Sequence, residues 1–315
     1  MRALSHLARK RCPAFEALDY RSLLTQVTEL PALPAAVTRL LATIDARRSS
    51  AADIARIIQS DPALAAKVLR LANSAAYGMG ETITSVQRAT VILGTITIKG
   101  MALSYGLFSS IGGPHHDLLD SHFWAHCVSA GIAGQEIARR GGLTEAHEGF
   151  MVGLLHDVGQ VLLAYWVPSD YSEAVQEQRH THMPLSIVEQ RRFGCTHGQV
   201  GAAFLRTWGF PPNIVHAIEY HHEVWKVGVG QKAGPALAQL ADIAACRAGF
   251  YGLSSGEALQ SFPPGLARMV GCSDDAMDDV VALVGPRLRS HADLLHIEAP
   301  PAHSVRLLQM PPEAA

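Results

Sequence analysis

Sixteen histidines occur in the 315 residues, and several of them stand on apolar segments where a polar ring needs a reason to be. His156-Asp157 interrupts MVGLLHDVGQVLL. An ionised Asp between Leu and Val is costly to bury unless something pairs with it. A divalent metal would neutralise the carboxylate and bind the neutral imidazole beside it. The doublet alone is equally what a helix-end Asp next to a hydrogen-bonded core His looks like. His221-His222-Glu223 closes PPNIVHAIEYHHE. Adjacent residues on a helix point about 100° apart, so both rings can meet one site only at a helix end or a kink. Taken alone, the two histidines read as a solvated pair favoured by the helix dipole. His126 follows Trp124 on a segment with Val128 and Ile132, His197 opens an apolar segment after Gly194, and Asp242 sits within LAQLADIAACRAG. Each of these is weak by itself. Together they make five histidines and two aspartates on separate segments able to converge in one core. Such mixed nitrogen and carboxylate donors suit iron, manganese or zinc, as one ion or two, better than magnesium or calcium.

The elements that must carry these residues read as helices. Alternating aromatic and β-branched residues are rare, whereas Ala and Leu recur at helical spacing. Ser50-Ala51-Ala52-Asp53 has the form of a capping box before IARIIQ. Asp61-Pro62 places a cap residue before a proline suited to a first helical position, and the following segment sets Leu64, Val68 and Leu71 on one face. Ser85 is positioned to cap VQRATVIL and Gly94 to end it. Further helices are expected over 121–140, 144–156 with a continuation or restart through VGQVLLAYWV, 184–193, 197–208, 211–221, 235–247 and 274–295. VGVGQKAG (227–234) reads as an exposed loop. Short connections favour a compact all-α bundle.

The order His126, His156-Asp157, His197, His221-His222, Asp242 resembles that of the HD superfamily of metal phosphohydrolases, in particular its HD-GYP branch. The N-terminal half resembles the HDOD branch more sharply. Leu30-Pro31-Ala32-Leu33-Pro34 is similar to its LPxLP opening, and IARIIQSDPALAAKVLRLANSAAYG followed by SVQRATVILG matches its helical core. The resemblance runs from about Leu30 to Glu223. It implies an HD-like multi-helix bundle with an N-terminal helical subdomain, with an extension over 1–22, the HDOD domain over 23–225, a helical segment over 226–300 that completes the core, and a tail over 301–315. It also implies that His126, His156, Asp157, His197, His221, His222 and Asp242 are metal ligands, with Asp157 the catalytic candidate if the protein is active. Asn73 and Ser74 are expected to end their helix through side-chain hydrogen bonds. Two departures bear on activity. VWKVGVGQ follows the paired histidines, so there is no GYP motif, and Gln160 in HDVGQ stands where active enzymes of that branch carry a lysine that would contact phosphate.

Bulk properties set the remaining expectations. With 17% charged residues and a net charge of -2, no strong field favours nucleic acid or an anionic membrane. Cys12, Cys127, Cys195, Cys246 and Cys272 are odd in number and contain no CxxC, so they read as reduced, small apolar residues. MRALSHLARKRC lacks an apolar stretch behind its basic residues, and His156-Asp157 splits the apolar run from Phe150 to Val167. A secreted or membrane-spanning chain is therefore not expected, and the cytoplasm is the expected location. The leading expectation is a signalling module that binds metal and acts through other signalling proteins with little or no turnover. A metal-dependent phosphohydrolase or phosphodiesterase with a nucleotide or phosphoester ligand, and a metal-free scaffold, are the alternatives.

Overall fold

The computed structural model describes residues 33–46, 49–73, 82–110, 118–119, 121–143, 146–253 and 261–291. Among these residues the regular elements are helices, with no strand. Leu30–Ala32 of the LPxLP stretch, 74–78 of the SAAYG stretch, both termini and Thr144 lie outside the described residues.

Four helices form the N-terminal layer: α1 (Ala35–Asp45), α2 (Ala51–Gln59), α3 (Pro62–Ala72) and α4 (Val86–Ser110). The expected start signals operate. Ser50 and Asp53 cap α2 reciprocally, and the Asp61 carboxylate accepts from the N–H groups of Ala63 and Leu64 ahead of α3. Ile54, Ile58, Leu64, Val68 and Leu71 are buried, each contributing about 1.5–3 kcal/mol of apolar transfer. Ser85 accepts from the Arg88 N–H at the start of α4. Gly94 ends the first stretch of that helix, as the sequence suggests. It breaks it with φ 75° and ψ 161°, a conformation that strains a residue with a Cβ, and the chain resumes helix directly afterwards. Over Val86–Leu107, α4 is long and apolar enough to cross a membrane, but 67% of that window is buried against the rest of the protein, as in a core helix.

Asn73 caps α3 and also staples the chain ahead of α4. Its amide donates to the carbonyls of Leu69 (2.8 Å) and Ile83 (2.7 Å) and accepts from the Ile83 N–H (2.6 Å). Asn73→Ala is expected to cost about 2 kcal/mol in chemical denaturation, because it strands backbone groups that the amide satisfies. A loss below about 0.5 kcal/mol would show the staple to be dispensable.

The second layer is built on α5 (Ser121–Arg140), which packs most extensively on α6 (Ala146–Leu155). Glycines make that approach close. A Cβ on Gly134 would lie 2.3 Å from the Gly149 carbonyl oxygen, and one on Gly153 would lie 2.1 Å from that of Ala130. The remaining elements are α7 (Val158–Trp166), α8 (Pro168–Thr181), α9 (Leu185–Phe193), α10 (His197–Thr207), α11 (Pro212–Glu219), α12 (Ala233–Arg247), α13 (Leu266–Met269) and α14 (Asp274–His291). Both α12 and α14 pack on α5, so the C-terminal segment shares the core that α5 and α6 build. The sequence reading had no helix at α8, although Pro168 at its first turn and His182 in the left-handed region after it (φ 55°) delimit it. Of the 227–234 stretch, 227–232 form a loop with one 3-10 turn, in which Val229 is 88% exposed, and the last two residues already belong to α12.

Candidate metal centre

The HD doublet sits at a corner. Helix α6 stops at Leu155 and α7 starts at Val158, so the run restarts and does not continue, and His156 and Asp157 occupy the turn between the two helices. Likewise α11 ends at Glu219, two residues short of the expected end, and His221-His222 fall in the turn beyond it. This helix end is what lets two adjacent rings face one point, and it sets aside the reading of a solvated helical pair. His126 comes from the second turn of α5, His197 from the first position of α10 and Asp242 from near the centre of α12. All seven residues converge. His126, His156, Asp157, His197, His221 and Asp242 are buried, and His222 is half-buried.

The atoms meet at short range. His126 Nε2 lies 3.2 Å from His156 Nε2 and 3.4 Å from Asp242 Oδ1. Asp157 Oδ2 is 3.2 Å from His156 Nε2 and 3.6 Å from His126 Nε2, while Oδ1 of the same carboxylate is 3.3 Å from His197 Nε2. His197 Nε2 is 3.3 Å from His221 Nε2 and 3.0 Å from His222 Nε2. Asp157 thus stands between two sets of rings, one oxygen toward each.

The outer nitrogens fix what the inner ones can be. His126 Nδ1 donates to the Phe250 carbonyl (2.9 Å), His156 Nδ1 to that of Gly153 (2.7 Å) and His221 Nδ1 to that of Ile218 (2.7 Å). A carbonyl only accepts, so each Nδ1 carries the proton and each neutral ring turns an Nε2 lone pair inward. For His197 the outer acceptor is Glu189, whose Oε2 takes both the Nδ1 proton (2.7 Å) and the backbone N–H of His197 (2.8 Å). Tyr171 donates to the other Glu189 oxygen at 2.9 Å. Glu189 and Tyr171 are fully buried.

The centre is therefore lined by acceptors facing acceptors. Two carboxylates and a set of inward lone pairs lie about 3 Å apart, and something positive must sit among them. Without a metal, protons do part of this work. Burial resists charging His126, yet its hydrogen bond to Asp157 and contacts with Cys246 and Asp242 hold its pKa well above the usual range. Burial likewise opposes charging His197, but Glu189 prevails and lifts it to about 9. Asp157 is held well below the carboxylate range, since His156, His126 and His197 outweigh its burial. Burial and neighbouring histidines hold His221 well below its ordinary value and His222 at about 3, which leaves both rings neutral.

The donor set fits a metal. Ligand atoms about 2.0–2.2 Å from one tetrahedral ion lie about 3.3–3.6 Å from each other, and the distances above fall on or near that range. Histidines that give their outer N–H to a carbonyl or carboxylate are the usual support of metal ligands. Three groups have ligand atoms within 4.8 Å of one another: His197, His221 and His222; His126, His156 and Asp157; and His126, Asp242 and Cys246, the last two sharing His126.

Glu189 lay outside the sequence reading, and two other residues take places that it did not assign. Glu189 had a signal, because it shares the buried face of α9 with Leu185 and Val188. Cys246, read as a packing residue, lies 3.6 Å from Asp242 Oδ1. Gln160, read at a position suited to phosphate contact, is buried, and its Oε1 has no hydrogen-bond partner.

Comparison with known proteins agrees with this architecture. An HDOD domain protein of unknown function from Geobacter sulfurreducens is 26% identical, with a TM-score of 0.64 over 87% of this chain and 98% of its own. A candidate phosphohydrolase from Shewanella amazonensis SB2B is 22% identical, with a TM-score of 0.63 over 87% and 97%. An uncharacterized protein of Treponema pallidum is 22% identical over 204 residues, 64% of this chain, and the chain spans 39% of that relative's length. The HDOD domain model matches residues 30–224, taking in every candidate ligand from His126 to His222 and stopping short of Asp242. That match covers most of the chain and its N-terminal layer as well as its buried cluster, and on this ground the chain belongs to the HDOD domain family.

Proposed function

We propose that the protein is a cytoplasmic HDOD signalling module built around a divalent transition-metal centre, which acts through other signalling proteins with little or no turnover. The convergence of inward-facing Nε2 atoms on the Asp157 and Asp242 carboxylates carries the metal part of this reading. His126, His156, Asp157, His197, His221, His222 and Asp242 would hold the metal, and iron, manganese or zinc suits their chemistry. Bound there, the metal would supply charge neutralisation and a polarised, readily deprotonated water. The chain's own residues do the positioning. The carbonyls of Gly153, Ile218 and Phe250, together with Glu189, set the tautomers, and the helix ends at Leu155 and Glu219 aim the rings. Burial of the ligands and the neutral Gln160 where a phosphate-binding cation would serve favour a structural and signalling role over turnover.

A metal-dependent phosphohydrolase is the second reading. It is favoured by the split of the Asp157 oxygens between two sets of histidines, an arrangement suited to a two-metal phosphoester site, and by the phosphohydrolase designation of the Shewanella relative.

Elemental analysis of protein purified without a chelating column tests the centre. One to two equivalents of iron, manganese or zinc are expected, lost in the His156→Ala/Asp157→Ala double variant. Absence of metal from the wild-type protein even after anaerobic reconstitution would defeat both metal readings. Turnover of a phosphoester by the loaded protein, abolished in Asp157→Asn with the fold intact, would decide for the hydrolase.

A further inference from the structure

Asp242 and Cys246 lie one turn apart on α12; the carboxylate faces the inward Nε2 of His126, and the thiol lies by the outer Nδ1 edge of that ring and donates to Asp242. Cys246 Sγ is 3.6 Å from Asp242 Oδ1 and 4.0 Å from His126 Nδ1, and Asp242 Oδ1 is 3.4 Å from His126 Nε2. All three residues are buried. A thiol that only fills space suits a mostly apolar setting, as Cys127 has where it lines a small pocket with Ser104, Leu107, Trp124, Leu154 and Leu155. Cys246 instead faces a carboxylate and an imidazole. An oxygen and a sulfur bound to one tetrahedral ion at about 2.0 and 2.3 Å stand about 3.5 Å apart, which matches the separation of Asp242 Oδ1 and Cys246 Sγ.

We propose that Cys246 is a ligand of the metal centre, giving a thiolate at its α12 end beside Asp242. The inference rests on the metal reading above. It adds a soft donor to a set otherwise made of nitrogen and oxygen, and so directs the site toward zinc or ferrous iron and away from manganese and magnesium. The step is proton exchange alone: the sulfur–metal bond forms, the S–H bond breaks, and the proton leaves to solvent.

Cobalt(II) loading tests it. The wild-type protein is expected to show a near-ultraviolet sulfur-to-cobalt charge-transfer band from one thiolate. In Cys246→Ser the band should vanish while cobalt uptake at the histidine sites persists, and zinc affinity at the α12 end should fall by at least about 10-fold. Cys127→Ser should keep the band. Zinc-edge absorption spectroscopy of the wild-type protein needs no variant, and should find a sulfur neighbour at about 2.3 Å. Cobalt-loaded wild-type protein without the band, or a band that survives in Cys246→Ser, would overturn the assignment while leaving the histidine centre intact. Failure of the wild-type protein to take up cobalt or zinc at all, by elemental analysis, would overturn the metal reading and this assignment with it.

Discussion

Gly159→Ala is expected to destabilise the protein by about 3 kcal/mol or more and to strip most of its metal. Gly159 lies in the first turn of α7, two residues after Asp157. An added Cβ would lie 1.9 Å from the carbonyl oxygen of His197 and 2.8 Å from the backbone nitrogen of Gly201. Both obstacles are backbone, so no side chain can swing aside, and α7 and α10 would have to separate by about 1 Å to reach ordinary contact. That separation acts directly on the 3.3 Å approach of Asp157 Oδ1 to His197 Nε2, where the two sets of histidines join. Gly230 is the control. It sits in the exposed loop with nothing within 4 Å of its missing Cβ, and its alanine variant should change stability by no more than about 0.5 kcal/mol. Denaturant titration and metal analysis of both variants make the comparison. A Gly159→Ala protein with wild-type stability and metal content would show that the α7–α10 contact does not set the site.

The chain's chemistry was more legible than the structure that orients it. His126, His156, Asp157, His197 and Asp242 announced themselves because polar, ionisable residues stood on apolar segments, and such a conflict has few physical resolutions. His221-His222 was harder. Its geometry depends on α11 stopping at Glu219, and helix ends are the least certain feature of any periodic pattern. The caps at Ser50 and Asp61 were legible because their side chains act on N–H groups two or three residues away. What sequence could not show is carried by backbone. The Gly153, Ile218 and Phe250 carbonyls that fix the ring tautomers have no residue-type signature, and neither does the backbone contact that makes Gly159 necessary. Gly94 was legible as a helix end, but the restart directly after it was not, since that depends on where the second stretch packs. Cys246 is the buried free cysteine that number and spacing suggest, but its place beside Asp242, one turn earlier, and His126 on another helix has no sequence signal.

Glu189→Ala should cost about 3–5 kcal/mol, the second large effect, whereas Glu189→Gln should cost far less. The carboxylate sits at the meeting point of three donors, the His197 backbone N–H, the His197 Nδ1–H and the Tyr171 hydroxyl, and no solvent replaces it. Alanine leaves all three without an acceptor inside the core. Glutamine keeps the shape. Its carbonyl oxygen can face His197 while its amide donates to the Tyr171 oxygen, which is free to rotate its proton away. What glutamine removes is the negative charge behind the ring. The His197 Nε2 lone pair then becomes a poorer donor, and metal affinity should fall about 10–100-fold with little loss of fold. A purely structural carboxylate would show the stability difference between Ala and Gln without the affinity loss in Gln. A ligand support shows both, and competition with a chelator at fixed pH separates the two. Equal stability of Glu189→Ala and the wild-type protein would mean that the three donors find other partners, and that His197 is oriented by α10 alone.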